Sequence, residues 1–253
     1  MGEESPGLGR VWPEVMQSIK TIAPFYDKVN RMISLGSDRR LRVRAVCGRV
    51  GLDERVLDAG AGNGVFTTVM LEQQPGVREV VMLDILPEML SRSGSRWNTH
   101  PVLGDFERTP FRDDVFDSVL MGFSLRDARD MKKALDEVRR VMTSNGKLVV
   151  VDLGKPDNRL KNIAISLYWR TVAPLLAFLR VGLPGLKVYS IHKTYVKLPK
   201  NSEFKSLLKT FFRHVEVEER MMGGTLIALS RAKHSLGSVK SQRAGNSAAN
   251  GYR

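Results

Sequence analysis

The stretch Arg55-Val56-Leu57-Asp58-Ala59-Gly60-Ala61-Gly62-Asn63-Gly64-Val65-Phe66 runs an apolar strand into a glycine-rich turn. Val56 and Leu57 suit a buried, pleated segment. The glycines at 60, 62 and 64 let the backbone bend tightly and approach a ligand that side chains would exclude. From Val65 to Gln74 the pattern continues as a helix, so unpaired N–H groups and the positive end of its dipole face whatever the turn holds. Dinucleotide-binding turns space their glycines as G-x-G-x-x-G. Here the spacing is D-x-G-x-G-x-G, which favours S-adenosylmethionine and makes Asp58, Gly60, Ala61, Gly62, Asn63 and Gly64 candidate cofactor contacts.

Working outward, Glu79 to Asp84 reads as a second buried strand ending in a carboxylate that can accept both hydroxyls of a ribose, with Ile85 beside it. A purely structural alternative has Asp84 capping a helix from Pro87 to Trp97. Val102 and Leu103 make a short third strand, after which Asp105 can accept from an adenine amino group while Phe106 packs on the ring. A fourth strand ends near Met121, and the loop Phe123-Ser124-Leu125-Arg126-Asp127 follows it. Ligands of open parallel sheets sit outside the carboxyl ends of strands, so that loop borders the same crevice and makes Arg126 and Asp127 site candidates. For Arg126 a structural pair with Asp127 or Asp130 is the competing reading. A helix from Asp130 to Met142 and a fifth buried strand from Lys147 to Leu153 complete the alternation. Five such units predict an α/β fold with a doubly wound, mostly parallel, Rossmann-like sheet.

The flanks divide the chain of 253 residues further. Residues 1–10 are expected to be flexible, and 11–50 form helices ahead of the cofactor core at 51–154. Ser37 and Asp38 offer N-cap chemistry to a helix whose polar face carries Arg39, Arg40, Arg42 and Arg44, a solvated face or one that meets an anionic surface. Between 155 and 213, 12 Lys and Arg stand against only Asp157 and Glu203. The same block holds the apolar run Ile163 to Leu183, interrupted by Arg170, Pro174 and Arg180, which argues against a transmembrane helix. It reads as a basic amphipathic insertion that covers the crevice and lies on anionic lipid. A basic RNA groove competes, but the bulk is aliphatic rather than an aromatic stacking platform. Strands within 214–231 close the sheet edge as an antiparallel hairpin, and 232–253 reads as a disordered basic tail.

Net charge is +13, which implies an anionic partner or surface. The single cysteine, Cys47, excludes an internal disulfide framework and a cysteine zinc site, and no metal site is expected. The acidic opening carries no secretory pattern, so a cytoplasmic protein peripherally bound to membrane is expected.

Several motifs in one order resemble the ubiquinone/menaquinone biosynthesis C-methyltransferases, a class I S-adenosylmethionine-dependent family that methylates a polyprenylated quinol ring. They are Phe25-Tyr26-Asp27-Lys28-Val29-Asn30 with Ser34-Leu35-Gly36, Leu57 to Gly64, Asp84-Ile85 with Met89-Leu90, Thr109-Pro110-Phe111, and Gly122-Phe123-Ser124-Leu125-Arg126-Asp127. The resemblance spans roughly residues 20 to 232. It implies that Gly60 to Gly64 with Asn63 line the methionine portion of the cofactor, Asp84 the ribose, Asp105 and Phe106 the adenine, and Gly122 the neighbourhood of the sulfonium. It implies demethylmenaquinol as the acceptor, with Phe123, Ser124, Tyr168 and His192 against it and a second copy of the chain as a further partner; nucleic acid is not expected. Arg126 would stabilise the phenolate or hold a water that takes its proton, with Tyr26 and Asp127 as lesser candidates. The sequence departs from the family at Val65, Ser124, Asp127 and Lys193 to Val196, mostly in the acceptor half. Another hydrophobic acceptor, an RNA, or a cofactor binder without catalysis remain alternatives.

Overall fold

A computed structural model describes residues 5–94 and 96–232. Three helices, α1 (Trp12–Ile22), α2 (Tyr26–Ile33) and α3 (Asp38–Val46), precede the first strand, β1 (Arg55–Ala59). Strand and helix then alternate through α4 (Val65–Gln73), β2 (Glu79–Asp84), α5 (Pro87–Leu90), β3 (Thr99–Leu103), β4 (Phe116–Gly122), α6 (Met131–Val141) and β5 (Met142–Leu153). A helical block of α7 (Arg159–Leu167), α8 (Ala173–Val181), α9 (Tyr189–Lys197) and α10 (Asn201–Phe211) leads to β6 (Phe212–Arg220) and β7 (Thr225–Ala232).

The sheet order is β3-β2-β1-β4-β5-β7-β6. Its first five strands run parallel, whereas β7 pairs antiparallel with both β5 and β6, as the expected hairpin does. Period-two alternation divides the core. Leu57, Ala59, Val119, Met121, Leu148 and Val150 pack with α6 and the helical block, while Val56, Leu120, Val149 and Val151 face α3 and α4. Both faces are therefore covered, which is why these strands read as nearly continuous apolar runs. Edge strand β6 carries Arg213, Glu216, Glu218, Glu219 and Arg220, charges that discourage pairing with another chain. Strand order reverses between β1 and β4, and the carboxyl ends of those two strands open onto one crevice.

The sequence reading needs correction at several points. Residues 6–9 are held, not loose: Leu8 is buried with Val15 and Met16, and the N–H groups of Leu8 and Gly9 donate to the carbonyls of Ala128 and Arg129. The helix expected from Pro87 to Trp97 stops at Leu90. There Ser91 and Ser93 hydroxyls donate to the carbonyls of Glu88 and Leu90, competing with helical bonding. Ser37 supplies no cap to α3; its hydroxyl donates to Ser34 instead. Arg42 leaves the polar face and is buried, paired with Asp38 at 3.0 Å. The helical run Arg159–Val181, continuous through a π turn at Tyr168–Val172, is long and apolar enough to cross a membrane by length and composition. The tail expected from 232 onward lies outside the described residues, apart from Ala232, which ends β7.

Candidate active site

The crevice is lined from the sheet side by residues that follow four strands. Gly60 and Gly62 come after β1, Asp84 and Ile85 from the end of β2, Asp105 to Glu107 after β3, and Gly122 to Ser124 with Asp127 after β4. Trp12, Met16 and Ile19 of α1 and Tyr26 of α2 close it from outside. Gly60 adopts φ 75°, and a Cβ there would stand 2.4 Å from the Cβ of Ser124. At Gly122 a Cβ would stand 2.6 Å from the Phe66 ring. Backbone therefore reaches the crevice from both strand ends where no side chain fits.

Asp58 works beneath the turn rather than in the crevice. Gly64 precedes α4 and has no side chain with which to cap it. Asp58 Oδ2 does so from the strand, accepting from the Thr67 N–H at 3.1 Å and the Thr67 hydroxyl at 2.7 Å. Its Oδ1 is buried with no partner, and burial pushes the carboxyl up to about 6. Asp84 braces the same turn: Oδ2 accepts from the Gly62 N–H and Oδ1 from the Leu86 N–H, each at 2.8 Å. Burial raises its pKa as well. The N–H groups of Gly60 and Ala61 are committed to the Leu83 carbonyl, and Asn63 Nδ2 turns away to donate to Asp27 Oδ1 at 2.7 Å. Neither Ala61 nor Asn63 lines the crevice.

At the adenine end the Asp105 carboxylate is already engaged, by the Glu107 N–H at 2.9 Å and by Arg129. Arg129 also lies 4.5 Å from the centre of the Trp12 ring. Neither Arg129 nor Trp12 was marked by the sequence, because the contact joins α1 to a loop more than a hundred positions away.

Behind the other end of the crevice is an ionic cluster, of which Asp127 lines the crevice while Arg126 and Asp152 do not. The Arg126 guanidinium stands 3.6 Å from Asp127 and 4.0 Å from Asp152, and the Arg126 N–H donates to Asp152 Oδ2 at 2.9 Å. Burial works against the Arg126 charge, but Asp127, Asp152 and Tyr26 outweigh it and hold the pKa above its ordinary value. Burial pushes Asp152 up to about 6 and raises Asp127 too, opposed by Arg126. Asp130 is not a partner: it caps α6 through the N–H groups of Lys132 and Lys133. Phe123 is held at φ 60°, with Arg42 and Arg126 at 4.8 and 5.6 Å from its ring centre.

Three expected acceptor contacts fall elsewhere. The Ser124 hydroxyl donates to the Ala59 carbonyl at 2.7 Å, tying β4 to β1 at the cofactor end. The Tyr168 hydroxyl donates to the Ile33 carbonyl at 2.6 Å. His192 Nε2 lies 3.2 Å from Ser166 Oγ with its ring against Tyr189. Neither Tyr168 nor His192 lines the crevice. Among the described residues, no cluster of His, Cys, Asp and Glu is placed to hold a metal.

The residues present fit S-adenosylmethionine. A cradle closed to Cβ atoms, an unpartnered buried oxygen on Asp58 and carboxylates at successive strand ends suit a nucleoside with a short charged chain.

A sequence model of the ubiE/COQ5 methyltransferase family matches residues 10–233. The ubiquinone/menaquinone biosynthesis C-methyltransferase UbiE of Geobacter sulfurreducens is 31% identical over 211 residues, covering 80% of this chain and 82% of the relative. The demethylmenaquinone methyltransferase of Deinococcus radiodurans is 33% identical over 181 residues, 69% and 75% of the two chains. Among solved structures, a possible histamine N-methyltransferase of Thermotoga maritima superposes with a TM-score of 0.63 at 15% identity, covering 87% of this chain and 100% of that one. The plantazolicin methyltransferase BpumL, solved with SAH, gives a TM-score of 0.59 at 13% identity over 89% and 97%. At such identities the structural likeness carries the fold alone.

Proposed function

The chain belongs to the ubiE/COQ5 methyltransferase family, and on that footing we propose that it methylates a ring carbon of a lipid quinol, demethylmenaquinol going to menaquinol. Family membership makes it an S-adenosylmethionine-dependent methyltransferase with a class I fold. The observation that carries the acceptor reading is the largely buried guanidinium of Arg126, kept cationic by Asp127 and Asp152 and packed behind Asp127, which lines the cofactor crevice.

When bound, S-adenosylmethionine supplies a methyl group already activated on a sulfonium, so the protein's work is alignment and exclusion of water. Gly60 and Gly62, with Asp58 beneath them, would hold the methionine portion. Asp84 would take the ribose, Asp105 and Phe106 the adenine, and Gly122 would leave room at the reacting atoms. Trp12, Met16 and Ile19 roof the crevice with apolar surface that keeps water out. A quinol carbon becomes nucleophilic as the neighbouring hydroxyl loses its proton. Arg126 would stabilise the negative oxygen that results, the role of a preorganised cation in a low-dielectric site. Asp127, which lines the crevice beside Arg126, would take the proton, and Tyr26 would orient the ring. The acceptor carbon then gains the methyl group and releases its own proton, restoring the aromatic ring.

The basic block 155–213 would rest this enzyme peripherally on the cytoplasmic face of an anionic membrane, where a prenylated acceptor resides. Mass spectrometry of lipid quinones from cells with and without the gene tests the reading. The proposal expects a quinone lighter by one methyl group to accumulate in the deletion strain, and an unchanged quinone pool would remove it.

A further inference from the structure

Within Arg159–Val181 the inward positions are Ile165, Trp169, Ala173 and Ala177, every fourth residue, packed in one core cluster with Val29 and Ile33 of α2. The outward positions are Leu160, Ile163, Leu167, Val172, Leu175 and Leu179, all exposed. Their spacings are three, four, five, three and four. In an unbroken α-helix a step of five would swing Val172, Leu175 and Leu179 off the line of the first three. The step of five falls across the π turn Tyr168–Val172, whose wider turn absorbs the extra residue and keeps one continuous apolar stripe facing outward. Arg159, Lys161, Arg170 and Arg180 accompany that stripe, and none of them takes part in an ion pair among the described residues.

Two turns outside the basic block stand beside this helix. Leu35 projects from the α2–α3 turn at 67% exposure, and Met222 from the β6–β7 turn at 68%, next to exposed Met221. The φ angles of Leu35, Met221 and Met222 are 50°, 50° and 58°. Glycine or asparagine would occupy such backbone with less strain, yet both turns present large apolar side chains to solvent. Contacts fix their neighbourhood. Ser37 Oγ lies 3.5 Å from Met221 Sδ, so the two turns adjoin each other, and they meet the helix from its inward side, where a Cβ on Gly224 would stand 2.8 Å from Ile165 Cδ1 and Tyr168 bonds the Ile33 carbonyl.

We infer that the apolar stripe and these two turns form one lipid-contacting face, which lays the protein on an anionic bilayer with the helix in the plane of the interface and the turns as flanking anchors. Unpaired cations beside an exposed apolar stripe complement anionic headgroups over acyl chains. Crossing the bilayer would instead pull Trp169 and Ala173 out of the core. The inference rests on the proposed lipid acceptor and deepens it: α2 carries Tyr26 on the crevice and Ile33 against the π turn, so one helix joins the site to the lipid face.

Flotation of the full chain with S-adenosylmethionine tests this, using vesicles of phosphatidylglycerol and phosphatidylcholine against vesicles of phosphatidylcholine alone. At least about tenfold tighter binding to the anionic vesicles is expected. Leu175→Ser/Leu179→Ser and Met222→Asn should each weaken it about tenfold, the second while raising Tm because asparagine relieves the left-handed backbone. Both variants should keep turnover of a short-chain, water-soluble quinol within about twofold and lose it on a long-chain acceptor in vesicles. Variants that float like the parent, a parent that ignores anionic vesicles, or a parent that resists carbonate extraction would each overturn the inference. A parent that methylates no quinol but binds vesicles through these residues would leave the face standing and remove the acceptor reading.

Discussion

Asp58 serves the fold with one carboxylate oxygen and keeps the other in reserve. Oδ2 caps α4, and Oδ1 is left without a partner beneath the glycine turn. Its carboxyl titrates at about 6 in the folded protein against roughly 4 in an unfolded chain, so the folded state keeps the proton longer. Asp58 therefore removes stability as pH rises from about 4 to 6, on the order of 3 kcal/mol in all. Asp58→Asn retains an acceptor for Thr67 and loses that dependence. Chemical denaturation at pH 4.5 and 6.5 should show the variant gaining on the parent at the higher pH, while calorimetry shows weaker S-adenosylmethionine binding. Arg126→Ala is expected to lower kcat by about 10²–10³, the usual effect of removing one oxyanion donor, with cofactor Kd unchanged. Asp127 is raised by burial, so activity should fall as pH drops through that raised value; in Asp127→Asn that acid limb of the rate profile should disappear. Asp58, Asp84 and Asp105 were legible because each follows a strand pattern at a fixed place. Asp152 was not, because it closes a run of buried valines and nothing in sequence shows that Arg126 folds back onto it. The positive φ of Phe123 and the approach of Arg42 and Arg126 to its ring were equally hidden, since both arise from contacts between separate elements.

Strands were legible for a plain reason: both faces of the sheet are covered, so β1, β2, β4 and the second half of β5 are short apolar runs, whereas the polar first half of β5, from Met142, was not read as strand. Helix ends were less so. Ser91 and Ser93 stop α5 early by bonding its carbonyls, a choice between cap and continuation that periodicity does not encode. The segment before α1 was read as loose for want of a pattern, yet single contacts fasten it. Leu8 is 1% exposed, the Met131 N–H donates to the Pro6 carbonyl, and Arg129 stacks on Trp12. This strap packs through Leu8 on Val15 and Met16 of α1, whose Trp12, Met16 and Ile19 roof the cofactor end of the crevice. Leu8→Ala is expected to cost about 2–3 kcal/mol by denaturation, at the lower end for a buried leucine because the cluster is small. It should also weaken S-adenosylmethionine binding several-fold by calorimetry, whereas a strap with no bearing on the site would leave binding untouched.

Over the whole molecule, charge and fold divide the work. The parallel sheet brings a glycine cradle and the carboxylates of Asp84, Asp105 and Asp127 to one crevice, with Arg126 and Asp152 packed behind Asp127; α1 and Tyr26 close it, and the basic helical block, expected to cover it, contributes no residue to its lining. The order of elements and the cofactor loop could be read along the chain because each is local. The acceptor side could not, since Tyr168 and His192 are drawn into contacts between helices, and of the residues expected there Tyr26, Phe123, Ser124 and Asp127 line the crevice. The proposed methyl transfer to a quinol carbon beside Arg126 can be read out on the quinone itself. Purified protein should be given methyl-labelled S-adenosylmethionine and verified reduced demethylmenaquinone in anionic vesicles, and the quinone examined by mass spectrometry. One labelled methyl on the ring, lost in Arg126→Ala while cofactor binding persists, is the outcome the structure leads us to expect; an unlabelled quinone from protein shown to bind the cofactor would contradict it.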